Sequence, residues 1–88
     1  MSDKETAIAW MALGKGHPIT ASDGAAVGKL SLVVADQQKD IFSGIVFRHG
    51  LLDQERFAPA QVIEGITTES VRLGISAQEA EELEPYEG

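Results

Sequence analysis

The chain has two histidines, His17 and His49, the residue type most often used for proton transfer and for binding metal ions. Each stands beside a glycine, in Gly16-His17-Pro18 and in His49-Gly50, where a turn is expected. A metal site needs several ligands that converge, and the sequence contains no cysteine that could join them. We therefore expect both histidines to be ordinary surface residues.

Two aspartates, Asp36 and Asp40, enclose a short polar loop and could bind a hard cation through their carboxylate oxygens. The loop lacks the central glycine and the terminal bidentate glutamate of an EF-hand. We interpret it as a solvated turn between two strands.

No set of residues has the spacing of a catalytic centre. Asp53-Gln54-Glu55-Arg56 could hold a catalytic carboxylate, but no nucleophile or base accompanies it in the sequence. Gly14-Lys15-Gly16 lacks the spacing of a phosphate-binding loop, and no helix start follows it. The G-x-S-x-G context of an activated serine is missing at Ser22, Ser31, Ser43, Ser70 and Ser76. We expect a protein that is not an enzyme and that uses no cofactor or metal.

Length and composition limit the size of the domain and of its hydrophobic core. A chain of 88 residues is one domain, and it buries roughly 60–65 % of the surface that its unfolded form exposes. Without cysteine it has no disulfide to stabilise so small a core. Oligomerisation is the remaining common way to do so.

The charge balance is acidic, with 14 Asp and Glu against 7 Lys and Arg and a formal net charge of -7. Basic side chains supply most of the affinity for nucleic acid, so this composition argues against nucleic acid as a partner. No apolar run approaches the ~20 residues of a membrane span, and the N-terminus lacks the features of a signal peptide. We expect a soluble, cytoplasmic protein.

The apolar residues alternate in short segments, which is typical of β-strands. Strands are predicted at 17–21, 27–35, 41–48, 55–58, 61–66 and 70–75, with Pro59 ending the fourth and a turn at Ser22-Asp23-Gly24. In the second strand Leu30, Leu32 and Val34 are assigned to one face. In the third strand one face carries Ile41, Ile45 and Phe47, and the opposite face carries Phe42 and Val46.

A helix is predicted after the last strand. Ser76 is a suitable N-cap, Glu79 three residues later completes a capping box, and Pro85 is expected to end the helix. The chain divides into an N-terminal arm at 1–13, strand or short helix, a β core at 14–75, and a helix with an acidic tail at 76–88. This order predicts a mainly β fold, a small antiparallel barrel or sandwich with a short C-terminal helix.

Six segments in order along the chain resemble a PRC-barrel domain. They are 16–24 (GHPITASDG), 27–30 (VGKL), 33–36 (VVAD), 42–48 (FSGIVFR), 56–62 (RFAPAQV), and the pair 71–73 (VRL) with 83–86 (LEPY). The resemblance implies a small antiparallel β-barrel, and it covers nearly all of residues 14–87. Within that family, the chain resembles the cytoplasmic domain of the reaction-centre H subunit, the barrel of a ribosome maturation factor, and free-standing small proteins.

The resemblance implies an interaction module without shared catalytic residues. Alternatives that it leaves open are an RNA- or ribosome-associated factor and an accessory protein similar to the reaction-centre H subunit. The matched residues have a sufficient explanation in folding alone. Gly24 permits a turn, Gly28 and Gly44 permit close backbone approach or strong curvature, and Pro59 ends a strand.

Apolar residues exceed what one small interior is expected to hold. The candidate interface residues are Ile8, Trp10 and Met11, which together with Leu13 precede the barrel, and Phe42 and Val46. Either the N-terminal arm folds over that second face, or the two surfaces meet across a homodimer in which Trp10 is an aromatic anchor. The expected partner is a second copy of the chain or another protein.

Overall fold

Six β-strands dominate the computed structural model, which describes residues 13–36, 38–39, 41–50 and 54–86. The strands are β1 Pro18–Thr20, β2 Ala26–Asp36, β3 Ile41–Arg48, β4 Arg56–Pro59, β5 Ile63–Ile66 and β6 Val71–Leu73. Within these residues one α-helix, α1, spans Ala77–Glu81, and a 3-10 turn spans Ala60–Val62. The prediction of a mainly β chain with one short helix is confirmed.

All six strands belong to one sheet in the order β4-β3-β2-β1-β6-β5. β1 pairs parallel to β6, with Ile19 opposite Val71, while the other pairs are antiparallel. The described strands do not close into a barrel. The expected antiparallel barrel is therefore wrong in both respects, since the sheet is mixed and open. Alternation in a sequence indicates which residues share a face, but it contains no information on strand direction or partner.

The two ends of this open sheet nevertheless lie near each other. β4 and β5 are the outermost strands, yet only the 3-10 turn Ala60–Val62 separates Pro59 from Ile63. Four residue steps span at most about 14 Å, so the sheet must coil around its own core. A hydrogen bond from the Gly74 N–H to the Val62 carbonyl oxygen, 2.7 Å long, fixes the turn to the end of β6. The extended structure predicted for 61–66 is thus correct for β5 but wrong for the 3-10 turn.

A β-bulge at Ser43 reverses the expected face of Phe42. Phe42 pairs with Ala35 and Gly44 pairs with Val34, which leaves Ser43 as an extra residue in β3. The extra residue shifts the alternation by one, so Phe42 lies on the core side and packs against the buried cluster. Its predicted place on the second face beside Val46 is wrong for this reason.

A second bulge at Ser31 changes the assignment of β2 in the same way. Leu30 pairs with Phe47, and Leu32 pairs with Val46, so Ser31 has no partner in the ladder. Leu30 is buried in the core, whereas Leu32 is 48 % exposed on the other side of the sheet. The prediction that Leu30 and Leu32 share a face is therefore wrong.

The core occupies the concave side of the coiled sheet and is closed by α1. Its buried members, all apolar, are Ile19, Ala21, Val27, Leu30, Ile45, Phe47, Ala58, Val71, Leu73 and Ala80. Among the described residues no polar or charged side chain is buried. The core thus depends on the hydrophobic effect.

Gly44 and Gly28 lie where strands approach most closely. Gly44 has φ +156°, and a Cβ placed on it would overlap the Ala58 carbonyl oxygen and lie 2.9 Å from Cζ of Phe57. A Cβ on Gly28, with φ +155°, would lie 2.6 Å from the Arg48 carbonyl oxygen. Any larger residue at either position would force the neighbouring strand outward.

The loop before β2 and the start of α1 follow the local signals in the sequence. The Gly24 N–H donates to the Ala21 carbonyl oxygen at 2.9 Å, which closes the turn predicted at 22–24. Ser76 and Glu79 form the reciprocal capping box, with bonds of 3.1 and 2.9 Å. The helix ends at Glu81, before Pro85, so the prediction that Pro85 ends it is wrong.

The residues after α1 cover the edge of β4. The Phe57 N–H donates to the Glu84 carbonyl oxygen at 3.0 Å, and the Tyr86 N–H donates to the Glu55 carbonyl oxygen at 2.8 Å. Arg56 and Pro85 form an isolated antiparallel bridge between them. Pairing of this kind removes exposed backbone donors and acceptors from an edge strand.

Candidate functional site

The side of β2, β3 and β4 that is turned away from the core carries a group of apolar residues, and we call this side the outer face. Cross-strand partners share a face, so the ladder places its members together. They are Leu32 and Val34 from β2, Ile41 and Val46 from β3, and Phe57 and Pro59 from β4. Leu32 and Ile41 are the two large apolar side chains that stand out as exposed among the described residues, at 48 % and 52 %.

A groove of about 640 Å³ runs between the outer face and the C-terminal segment. Val34, Phe57 and Pro59 form one wall. Leu83 and Tyr86 belong to the other wall, and the Tyr86 ring stacks on Phe57 with the centroids 6.3 Å apart and the planes at 28°. The groove is thus a mainly apolar cleft that is lined by two stacked aromatic rings.

Two carboxylates, Glu82 and Glu84, stand at the edge of this groove, and both are exposed. No basic residue is among the described residues that line it. The local charge is therefore negative, like that of the whole chain.

The predicted interface residues are distributed differently from what the sequence indicated. Ile8, Trp10 and Met11 lie outside the described residues. Phe42 packs against the core, as the bulge at Ser43 requires. Val46 does belong to the outer face, where Leu32 and Phe57 flank it, and it is fully buried.

The sequence pattern did not indicate that Leu32 and Phe57 belong to the outer face or that Tyr86 lines the groove. Leu32 was assigned inward because a regular strand places it with Leu30. Phe57 could have been found from the alternation with Ala58, since one of two neighbouring strand residues must face outward. Nothing in the sequence places Tyr86 against Phe57.

The two histidines have different surroundings. His17 Nε2 lies 2.8 Å from the Thr67 carbonyl oxygen and donates to it, because a carbonyl can only accept. His17 is thus a structural link between the start of β1 and the loop after β5. His49 is exposed at the end of β3. Among the described residues, no three His, Asp or Glu side chains come together as metal ligands.

The aspartate of the predicted cation loop has a structural role. Asp36 accepts from the Gln38 and Lys39 N–H groups through Oδ1, at 3.1 and 3.3 Å, which is the geometry of an Asx turn. Asp40 and Asp53 lie outside the described residues. The part of the chain that is described therefore gives Asp36 a role as a turn-forming residue.

Two comparisons with known proteins found no counterpart: no protein-family model matches the chain, and no curated protein matches it. No helix in the described part of the chain combines the length and the apolar character needed to cross a lipid bilayer.

Proposed function

We propose that this chain is a non-enzymatic protein of the PRC-barrel type that works by protein–protein association, with a second copy of itself as the partner. The observation that carries the proposal is the outer face. Leu32 and Ile41 are about half exposed there beside the groove, although the core on the other side of the sheet is complete without them. The PRC-barrel resemblance supports it, because that family consists of interaction modules.

A two-fold dimer suits this surface for a physical reason. In an isologous contact each copy presents the same patch, so an apolar patch meets an apolar patch and no charge partner is needed. Covering Leu32 and Ile41 would remove apolar area from water at about 25 cal/mol per Å². A chain of 88 residues without cysteine would gain stability from such a contact.

The net charge predicts how the dimer responds to salt. Each copy carries -7, so association brings like charges together and is weakened by their repulsion. Salt screens that repulsion, because the Debye length falls from roughly 30 Å at 0.01 M to roughly 10 Å at 0.1 M. The dimer should therefore strengthen as the salt concentration rises. A complex with a basic partner would weaken instead.

Sedimentation velocity at micromolar protein concentration tests the proposal. The full chain should sediment as a dimer, and Leu32→Glu should sediment as a monomer because it places a charge in the contact. Gln78→Glu is the matched control, since it adds the same charge at an exposed position of α1. Circular dichroism should show that both variants remain folded.

A second variant tests the aromatic anchor predicted from the sequence. Trp10→Ala should weaken the dimer if this residue takes part in the contact. A full chain that is monomeric at all salt concentrations, with Trp10→Ala and Leu32→Glu indistinguishable from it, would contradict the proposal.

A further inference from the structure

The two ends of β2 carry opposite charges on the outer face. Lys29 precedes the buried Leu30 in the strand, so its side chain is on the side turned away from the core, and it is exposed. Asp36, also exposed, is the ladder partner of Ile41 and therefore shares the outer face with it. Seven residue steps in an extended strand separate the cation from the anion by about 23 Å.

The outer face of β2 is apolar between these two charges. Leu32 lies three positions after Lys29 and is 48 % exposed, and Val34 lies two positions before Asp36 and is half-buried. The order along the strand is thus a cation, two apolar side chains and an anion. Such an order is complementary to itself when a second copy is turned end to end.

The positive end has no counter-charge from the described part of the chain. Lys29 stands directly opposite Arg48 in the ladder. The Cβ atoms of cross-strand partners are about 5 Å apart, so like charges there destabilise the sheet. None of the described carboxylates forms an ion pair with Lys29 or Arg48. An anion from another molecule would therefore reduce the repulsion between the two cations.

The negative end has an acceptor that is not used within the described residues. Asp36 accepts the N–H groups of Gln38 and Lys39 through Oδ1, which fixes the orientation of its carboxylate. Its other oxygen, Oδ2, accepts from none of the described residues. An oriented carboxylate loses little further freedom when it meets a cation, which favours an intermolecular contact.

We infer that the two copies of the proposed dimer pack their outer faces with the β2 strands running in opposite directions, so that Lys29 of each copy binds Asp36 of the other. This inference rests on the proposed function and adds which residues of the two copies meet. A two-fold axis between the faces, perpendicular to β2 and passing over Leu32 and Val34, produces both pairs at once. Two sheets that face each other pack about 10 Å apart, so their side chains meet between them.

The other two-fold arrangement is unfavourable. An axis parallel to β2 would place Lys29 against Lys29 and Asp36 against Asp36, so that both ends of the contact repel. The apolar residues between them are covered in either arrangement, so the charges determine the orientation. The net charge of each copy is -7 in both arrangements, and it still determines how the dimer as a whole responds to salt.

Charge reversal on the full chain tests the inference, with the dissociation constant of the dimer measured by sedimentation equilibrium. Lys29→Glu and Asp36→Lys should each weaken self-association about ten-fold or more, because both pairs of the dimer become repulsive. An equimolar mixture of the two variants should associate about as tightly as the unmodified chain. In the mixed dimer one pair is unchanged and the other is attractive with its charges exchanged.

Two control variants make the same changes of net charge outside the outer face. Arg72→Glu, exposed on β6, should weaken the dimer less than Lys29→Glu does. Glu69→Lys, exposed in the loop before β6, lowers the repulsion between the copies and should strengthen the dimer. Asp36→Lys changes the net charge equally but should have the opposite effect.

A further variant separates the charge of Asp36 from its role in the turn. Asp36→Asn keeps an oxygen that can accept the Gln38 and Lys39 N–H groups but removes the charge. It should weaken the dimer several-fold, less than Asp36→Lys does. Circular dichroism should show that all the variants are folded.

Three results would overturn the inference. If Asp36→Lys associates as tightly as Glu69→Lys, or if the mixture associates no better than the single variants, the arrangement is wrong although the dimer itself stands. If Lys29→Glu pairs preferentially with the unmodified chain, the axis is parallel to β2. If the unmodified chain stays monomeric, the proposed function fails, and the inference fails with it.

Discussion

His17 donates from Nε2 to the carbonyl oxygen of Thr67 at 2.8 Å and so joins two segments that are 50 positions apart in the sequence. Thr67 also accepts the Glu69 and Ser70 N–H groups through Oγ1, at 3.1 and 3.2 Å, so the loop between β5 and β6 is internally bonded. The histidine therefore connects a well-formed loop to the first strand of the sheet.

Replacing His17 by Ala should lower the free energy of unfolding by about 1 kcal/mol, because the part-buried Thr67 carbonyl loses its side-chain donor. His49→Ala is the matched control, and it should change the stability by less than about 0.5 kcal/mol because His49 is exposed. Urea denaturation followed by circular dichroism measures both. Equal losses in the two variants would show that the bond to Thr67 contributes nothing.

Replacing Gly44 by Ala should destabilise the chain by about 2 kcal/mol or more, because the methyl group would meet the Ala58 carbonyl while φ stays positive. Gly65→Ala in β5 is the control, since no atom lies within 4 Å of its Cβ position. It should leave the stability unchanged or raise it by up to about 1 kcal/mol through the unfolded state. The melting temperatures of the two variants should therefore move apart, and a common shift would contradict the close approach at Gly44.

The bulge at Ser43 leads to a test with two neighbouring residues. Phe42→Ala should cost about 2–3 kcal/mol because Phe42 packs against the core, whereas Ile41→Ala should cost less than about 1 kcal/mol. A regular strand without a bulge would place Ile41 in the core and Phe42 outside it, and would therefore predict the larger loss of stability for Ile41→Ala. Urea denaturation at one low protein concentration keeps association through the outer face from affecting the comparison. A larger loss for Ile41→Ala would mean that the register of β3 is different.

Replacing Tyr86 by Ala should loosen the segment that covers β4. The stacking of Tyr86 on Phe57 contributes about 1 kcal/mol beyond the area that it buries. Hydrogen exchange at the Phe57 N–H, which donates to the Glu84 carbonyl oxygen, should become faster. Tyr86→Phe keeps the ring and should behave as the unmodified chain, so accelerated exchange in that variant would point to the hydroxyl instead of the stacking.

Local signals in the sequence were sufficient to predict where several elements lie. The third strand begins and ends where it was predicted, at Ile41 and Arg48. The capping box at Ser76 and Glu79 and the turn that contains Gly24 also depend on neighbouring residues alone. Interactions between residues three or four positions apart depend on residue type alone, so they can be predicted without knowing the fold.

The sequence did not correctly predict on which face of the sheet every strand residue lies. A bulge inserts one residue and exchanges the two faces beyond it, and neither Ser31 nor Ser43 has a residue type that reveals one. For this reason Phe42 and Leu32 were both placed on the wrong side. The groove was even harder to predict from the sequence, because Val34, Phe57 and Tyr86 come together only after β2, β4 and the C-terminal segment have packed together.

The parallel pairing of β1 with β6 has a consequence for the order of events during biosynthesis. β1 is held between β2, its hairpin partner, and β6, whose Val71 stands opposite Ile19. A ribosome releases the chain from its N-terminus, so the middle of the sheet stays incomplete until nearly all strands have emerged. The hairpin of β1 and β2 must wait with one side unpaired, and the sheet is therefore completed only after β6 has emerged from the ribosome.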